Sequence, residues 1–432
     1  MRLFEPKILS AFKTYKTRDY LSDIVAGIIV AIIALPLSIA LSIASGATPE
    51  RGLFTAIIAG FVTALLGGSK VNITGPTAAF ATIVAGIIMT EGLEGLFLAT
   101  IMAGIILVIM GLCRVGSLIK YIPHTITIGF TAGIAVTLVV GQLKDFLGLT
   151  YPSGTVAIET LDKLSLVFQN ISTFNPWAFL IGVIGLAILI FWPKLSKKIP
   201  GSLIAVIVGA LVCLIPVINA NTIGSLYTIS SQLPTFSFPE ITMDKLIALF
   251  PSALTIALLA GIESLLSCVV SDKMVGDKHN SNTELIALGA GNLLVGCLGG
   301  IPATGAIART AANVKNGGKS PLSGMVHAVV LLLVLVLLMP LASYIPMPII
   351  ASILFIVAYN MSEWREFVAV IKTKKWNDIL VLVLTFALTV IFDLVKAIAV
   401  GLVVHYVIKL IYFIIAKRKA KKEQLDDNEQ SL

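Results

Sequence analysis

Long apolar runs recur along the whole chain, separated by short segments rich in Gly, Pro or Lys. A helix of about 20 apolar residues crosses the hydrocarbon core of a bilayer. Because only helices and closed barrels satisfy their backbone hydrogen bonds in lipid, these runs predict membrane-spanning helices. We therefore expect an all-α polytopic membrane protein with fourteen transmembrane segments. The predicted segments are residues 21–45, 52–67, 75–90, 93–113, 121–147, 177–193, 201–219, 245–270, 281–299, 305–316, 321–343, 347–361, 376–393 and 395–416.

Lys and Arg residues concentrate at the two chain ends and in alternate connections between the predicted segments. Since cytoplasmic loops carry an excess of Lys and Arg, both termini are expected in the cytoplasm, which requires an even number of segments. The expected organisation is a cytoplasmic segment at 1–20, a transmembrane domain at 21–416 and a short tail at 417–432. Residues 361–375 are expected to form an amphipathic helix on the cytoplasmic membrane surface.

The composition narrows the classes of protein to which the chain can belong. It is 57% hydrophobic and only 12% charged, a balance that no soluble domain of this length has. The formal net charge of +8 does not indicate nucleic acid binding, because membrane orientation explains where the basic residues lie. The sequence contains no catalytic constellation and no metal-ligand spacing of Cys or His. We therefore expect neither an enzyme nor a metal cofactor.

One helix-breaking pattern occurs twice, at residues 67–76 (GGSKVNITGP) and 299–305 (GGIPATG). In each, a Gly-Gly pair ends a helix, an extended stretch follows, and Thr-Gly precedes a new helix. Seven predicted segments separate the two copies, so the chain is expected to contain two inverted repeats, 21–219 and 245–416. Paired interruptions of this kind point to the binding site of a transporter. The alternative is that two unrelated loops both need glycine.

A helix that begins inside a membrane directs its unpaired N–H groups and its positive dipole end at whatever lies there, which favours an anion. We expect Thr74 and Thr304 to cap the two half-helices, and the glycine after each to leave backbone N–H groups open. Pro76 is expected in the first helical turn. In the first segment, Pro36 frees a carbonyl and Ser38 offers a hydroxyl to the same cavity, unless Pro36 is only a structural kink. The predicted substrate-binding residues are Thr74, Gly75, Pro76, Thr77, Ala303, Thr304, Gly305, Ala306, Arg309, Pro36 and Ser38.

Two charged residues within the predicted segments, Glu263 and Arg309, are candidates for the chemistry of the site. A charge at the centre of a membrane helix costs roughly 2.5–3.5 kcal/mol, so each is expected to face a cavity or a partner. Ser267 shares a helical face with Glu263, and together they could hold a proton or a sodium ion. Arg309 either binds an oxyanion through its planar donor fork or acts as the fixed counter-charge of Glu263. The structural alternative is that Glu263 only neutralises Arg309 and joins two helices.

Three stretches of the chain resemble the SulP family of anion transporters, the bacterial relatives of the animal multifunctional anion exchangers. They are residues 34–54 (from ALPLSIA to GATPERGLF), 74–80 (TGPTAAF) and, most specifically, 302–313 (PATGAIARTAAN). The resemblance extends over residues 15–415. It implies two inverted repeats of seven spans. Spans 1–4 and 8–11 would form a mobile core, and spans 5–7 and 12–14 a gate, with substrate between the half-helices of spans 3 and 10.

The resemblance also implies roles for three residues. Glu263 stands where the family carries its coupling carboxylate, and Ser267 where sodium-coupled bicarbonate members use a hydroxyl. Arg309 stands where many members place a positive charge beside the anion. Family members usually carry a cytoplasmic STAS domain after the last span. Here residues 417–432 follow it, so either the chain is a short member or the domain was removed.

The expected function is secondary active transport of small inorganic oxyanions, sulfate or bicarbonate, across the plasma membrane of a bacterium. An elevator-like movement with proton coupling or anion exchange is expected, without a cofactor other than a coupling H⁺ or Na⁺. A sodium-coupled bicarbonate symporter, a C4-dicarboxylate carrier and an anion channel remain as alternatives, chloride remains as a substrate, and a homodimer is left open. No second buried carboxylate is expected, which argues against a nucleobase permease. The expected partners are the anion and the lipid bilayer, not nucleic acid.

Overall fold

A computed structural model describes residues 4–11, 15–117, 123–152, 155, 157, 159–196, 199–236, 238–391, 397 and 400–411. Apart from one two-stranded sheet and short 3₁₀ turns, the regular elements of these residues are α-helices. The strands are β1 (Thr74–Gly75) and β2 (Thr304–Gly305). The helices are α1 (Ile8–Ala11), α2 (Thr17–Ala44), α3 (Pro49–Leu66), α4 (Ala81–Leu112), α5 (His124–Leu147), α6 (Thr160–Gln169), α7 (Pro176–Leu195), α8 (Gly201–Cys213), α9 (Ile223–Leu226), α10 (Met243–Val275), α11 (Ser281–Cys297), α12 (Ile307–Lys315), α13 (Pro321–Leu338), α14 (Met347–Met361), α15 (Trp364–Lys372), α16 (Trp376–Ile391) and α17 (Val400–Ile411).

Each of the fourteen predicted segments overlaps one of these helices. Segments 3 and 4 both overlap α4, which is broken at Gly92, where φ is 70° and only glycine fits without strain. Segment 14 is seen as α17, and the remainder of residues 395–416, except residue 397, lies outside the described residues. Eight helices of the described chain are long and apolar enough to cross a membrane, while α8, α16 and α17 are shorter apolar helices. The all-α polytopic membrane fold is therefore confirmed.

The chain divides into two compact units. Unit 1 comprises residues 1–119 and 137–358, and it contains the sheet and the helices that surround it. Unit 2 comprises residues 120–136 and 359–432. Within unit 2, the first half of α5 packs closely on α16, because a Cβ at Gly129 would lie only 2.8 Å from a backbone carbonyl oxygen of α16.

The helices of unit 1 pack in a reciprocal pattern. Helix α11 packs on α4 and α13 packs on α3; likewise α10 packs on α4 and α13 on α2, while α3 and α11 pack on each other. Inverted repeats produce this pattern when α2 corresponds to α10, α3 to α11 and the second half of α4 to α13. The backbones of α4 and α11 approach closely at Gly104 and Gly289. A Cβ on either glycine would lie 2.8 or 2.6 Å from the carbonyl oxygen of the other.

Candidate functional site

The two sequence breaks meet in the interior of unit 1 as the antiparallel pair β1 and β2. Thr74 pairs with Gly305 and Gly75 pairs with Thr304, so the threonine of each break lies opposite the glycine of the other break. The N–H of Ala306 extends the pairing by donating to the carbonyl of the residue before β1, at 2.8 Å. This symmetric register is what a local two-fold axis between inverted repeats requires.

The expected helix caps are wrong. Thr74 and Thr304 lie in the strands, and the helices begin later, because strand pairing extends the backbone at both threonines. Helix α12 begins at Ile307 with Ala306 in the N-cap position, and no side chain caps it. Pro76 is likewise not in a helical turn. It precedes a 3₁₀ helix at Ala78–Phe80 that leads into α4.

The backbone groups of Ala303 and Ala306 are not open to a ligand either. The N–H of Ala303 donates to the side-chain oxygen of Asn292 at 2.9 Å, and the N–H of Ala306 is used in the strand pairing. The hydroxyl of Thr304 donates to the carbonyl of Ala260 on α10 at 2.7 Å. Among the described residues of this region, the first N–H groups of α12 have no partner within the helix and no side-chain cap, so they are the backbone donors left for a ligand.

Arg309, on the first turn of α12, carries the unsatisfied charge of the site. Its side chain is 1% exposed, and its Nη2 donates to the backbone carbonyl of Pro76. Its Nε and Nη1 atoms are buried and have no hydrogen-bond partner among the described residues. Nη1 lies beside β1, since a Cβ on Gly75 would be only 2.3 Å from it. A buried guanidinium with two unmet donors is poorly stabilised by itself and is suited to an anion.

Glu263 is half-buried on α10 and lies beside the end of the first break, residues 67–76. Its Oε2 accepts a hydrogen bond from the hydroxyl of Thr77 at 3.0 Å. Thr77 directly follows Pro76, the partner of Arg309, but the two described charged side chains form no direct ion pair. The structure therefore brings both predicted charges to one region without letting them neutralise each other in contact.

Ser267 belongs to a hydrogen-bonded network rather than to a pair with Glu263. Its hydroxyl oxygen lies 2.7 Å from the side-chain oxygen of Asn72 and 3.0 Å from the hydroxyl of Thr310. Thr310 also accepts from the backbone N–H of Ile73 at 3.0 Å. These buried contacts join α10, α12 and the two residues before β1, so Ser267 helps to hold the strand pair in place.

A second buried carboxylate, which the sequence analysis missed, supports the site. Glu284, on the first turn of α11 and 1% exposed, accepts from the N–H groups of Gly68 and Ser69 at 2.8 and 3.1 Å. In the opposite half, Arg51 on the first turn of α3 donates to the carbonyl of Gly299 at 2.5 Å. The backbone of each break is thus hydrogen-bonded to a charged side chain from the other repeat. Because Glu284 is satisfied by the backbone, it is not open to a substrate.

His327 on α13 is another residue that sequence reasoning set aside. It is fully buried, and neither ring nitrogen has a hydrogen-bond partner among the described residues. A Cβ on Gly60 would lie 3.5 Å from its Nδ1 and 3.2 Å from the carbonyl oxygen of Thr74, so the ring lies beside β1. The hydroxyl of Thr74 is also buried and unpartnered. No spacing in the sequence indicated this contact, because α13 and β1 are far apart along the chain.

Pro36 and Ser38 are buried within α2, which continues past Pro36 to Ala44. The hydroxyl of Ser38 has no partner among the described residues. Its backbone carbonyl lies against α3, where a Cβ on Gly52 would be 2.0 Å from it. Their predicted contribution to substrate binding stays a prediction.

The comparison with known proteins agrees with this architecture. The sequence matches the Sulfate permease family over residues 20–385. The chain belongs to this family. Its members are transporters, so the expectation that the chain is not an enzyme is confirmed.

Individual relatives extend over most of the chain. YvdB of Bacillus subtilis (strain 168), whose name proposes sulfate transport, is 47% identical over 398 residues, which are 92% of this chain and 74% of YvdB. The bicarbonate transporter BicA of Picosynechococcus sp. is 34% identical over 407 residues, which are 91% of this chain and 70% of BicA.

Solved structures show the same fold. The transmembrane domain of a cyanobacterium bicarbonate transporter BicA has a TM-score of 0.81 at 30% identity, and the match covers 89% of this chain and 98% of that domain. The structure named SLC26A9 has a TM-score of 0.84 at 20% identity, with 94% of this chain and 67% of that chain covered. The second likeness shows the fold alone. Together they confirm a multi-pass membrane protein of this transporter fold.

Proposed function

We propose that the chain is a secondary active transporter of small inorganic oxyanions, sulfate or bicarbonate, and that the anion binds at the start of α12. The observation that carries this proposal is the buried Arg309 guanidinium, whose Nε and Nη1 have no hydrogen-bond partner among the described residues. Sulfate and bicarbonate are the substrates in the names of YvdB and BicA, respectively. Bicarbonate is a planar oxyanion and sulfate is a tetrahedral one. Both can accept paired hydrogen bonds from a guanidinium.

The charge balance of the site supports an anion. Arg309 contributes a full positive charge, and the N-terminus of α12 contributes the equivalent of about half an elementary charge. Glu263 opposes them, but it lies out of direct contact with Arg309 and can be neutralised by a proton. A monovalent or divalent oxyanion would complete the hydrogen bonds of Arg309 and offset its charge in a region of low dielectric.

Proton coupling or anion exchange is favoured over sodium coupling. Glu263 has one hydroxyl neighbour, Thr77, and Ser267 is engaged by Asn72 and Thr310. A sodium ion at Glu263 and Ser267 would have to break that buried network, whereas a proton on Glu263 would not. We propose that protonation of Glu263 accompanies movement of the loaded site.

The movement itself is proposed to be elevator-like. The strand pair and the adjoining Asn72 are bound to α10, α11 and α12 through buried hydrogen bonds, so these elements would move together as one body. We place the protein in the bacterial plasma membrane with both termini in the cytoplasm, on the distribution of Lys and Arg.

Uptake into proteoliposomes tests the proposal. Radiolabelled sulfate and bicarbonate are supplied separately, while the sodium and pH gradients are varied independently. Accumulation of one anion above its external concentration, driven by a pH gradient or by a counter-anion, is the expected result. Accumulation that requires sodium would show that transport is coupled to sodium and not to protons or a counter-anion. Flux that only dissipates gradients would identify a channel, and no flux of either anion would refute the substrate class.

A further inference from the structure

A cavity of about 320 Å³ in unit 1, separate from the strand pair, opens to the surface of the protein. One of its walls is a face of α4 that includes Ala81, Ala85 and Met89. Since a helix rises about 1.5 Å per residue, this wall runs inward for roughly 12 Å. The opposite walls come from the ends of α2 and α5, from α6 and from the segment after α9.

The inner end of the cavity lies next to the proposed substrate site. Ala81 follows directly on the 3₁₀ helix Ala78–Phe80, and Thr77, the residue before that helix, donates to Glu263. An ion that enters at the Met89 end and reaches Ala81 is therefore within one helical turn of a residue that contacts Glu263.

The charged side chains of the cavity favour an anion. Lys163 on α6 and Lys144 on α5 both line it, against the single carboxylate of Asp145 among the described lining residues. Lys163 is half-buried and forms no ion pair with any described residue, and burial lowers the pKa of its ammonium group. Lys144 is exposed at the rim and lies over the ring of Tyr151, 5.0 Å from its centroid. A half-buried ammonium without a carboxylate partner is able to contact an anion, because burial leaves its charge less well compensated.

We propose that Lys163 forms an outer loading site for the transported oxyanion, with Lys144 attracting the anion at the rim and Asp145 limiting its affinity. The inference rests on the proposed function, because it assigns a second, earlier position to the same substrate. A lysine in a cleft concentrates anions by its field and holds them loosely, which suits a site that must release its ligand inward.

Kinetics of three variants test the site. Lys163→Gln should raise the KM for the transported anion about 3- to 10-fold with an unchanged maximal rate, because only capture is weakened. Lys163→Arg should keep a KM close to that of the wild type. Asp145→Asn should lower the KM, since it removes the opposing charge. Lys194→Gln is the matched control, because Lys194 is an exposed lysine that does not line the cavity.

The opposite signs expected for Lys163→Gln and Asp145→Asn separate a charge effect from damage to the fold. An unchanged KM for Lys163→Gln, or a raised KM for Asp145→Asn, would overturn the proposal. Both are judged against wild-type transport. If the wild type itself transports neither sulfate nor bicarbonate, the proposed function fails first.

Chemical protection gives a readout that does not depend on transport. Reconstituted protein is treated with an amine-reactive reagent in sulfate, in bicarbonate or in gluconate at equal ionic strength, and modification is measured by mass spectrometry. At least one of the two oxyanions should slow modification of Lys163 about 3-fold or more while leaving Lys194 unaffected. Equal modification of Lys163 in all three salts would refute the loading site even if transport is observed.

Discussion

Substitution of Gly75 by alanine should weaken anion binding while leaving the fold intact. A Cβ at this position would lie 2.3 Å from Nη1 of Arg309, whereas ordinary contacts begin at 3.4 Å. The guanidinium therefore has to move by about 1 Å in a close-packed interior. Because Arg309 is 1% exposed and its Nη2 is held by Pro76, it cannot swing out to solvent, and its two free donors would be misplaced.

The size of the effect follows from the hydrogen bonds at stake. A hydrogen bond that involves a charged group is worth about 1.5–3 kcal/mol. Since about 1.4 kcal/mol is a factor of ten in affinity, loss of one such bond predicts an increase in KM of about 10- to 100-fold. The added methyl group should cost about 1–3 kcal/mol of stability through overpacking, which is small enough for the protein to fold.

The assay is uptake kinetics in proteoliposomes that contain equal amounts of monodisperse protein. Gly86→Ala is the control, because it makes the same change on α4 at a position where a Cβ would meet nothing within 4 Å. It should transport normally and gain about 0.5–1 kcal/mol of stability. A Gly75→Ala protein with the KM of the wild type would refute the placement of the anion beside Arg309.

Substitutions at three further positions distinguish coupling from support of the site. Glu263→Gln keeps an acceptor for Thr77 but cannot exchange a proton, so uptake should lose its response to a pH gradient; an unaltered response would exclude Glu263 as the coupling group. Glu284→Gln should lower the melting temperature in detergent, because loss of one charged hydrogen bond costs about 1.5–3 kcal/mol, and an unchanged melting temperature would contradict this. Thr310→Val leaves the N–H of Ile73 without an acceptor and should cost about 1–3 kcal/mol in thermal unfolding, whereas Thr310→Ser should behave as the wild type.

The apolar helices could be predicted from the sequence because each is encoded locally, whereas α1, α6 and α9 correspond to no predicted segment. Length and apolarity determine a membrane helix, and the break of α4 at Gly92 falls where Glu91 and Glu94 interrupt the apolar run. The inverted relation of the two breaks also follows from counting segments. What the sequence does not contain is the partner of an extended stretch. Strand pairing between Thr74 and Gly305 joins residues far apart in the chain, so the expected caps proved to be strands.

The candidate site was predictable where a residue violates a local rule, and not where it obeys one. Arg309 and Glu263 stand out because charges are costly within apolar segments. Glu284 does not stand out, since an acidic residue in the first turn of a helix is ordinary, and only the fold shows that it holds the opposite break. His327 gave no signal for a similar reason: its neighbours on β1 come from a distant part of the chain.

Arg309 provides the most direct test of the account. Anion uptake by the wild type and by Arg309→Gln is measured in proteoliposomes at equal reconstitution, with Arg309→Lys as a variant that keeps the charge but loses the donor fork. The account predicts accumulation by the wild type, a KM raised about 10-fold or more for Arg309→Lys, and uptake no greater than in protein-free vesicles for Arg309→Gln. Accumulation by Arg309→Gln with the KM of the wild type would contradict the claim that the buried guanidinium at the start of α12 holds the transported anion.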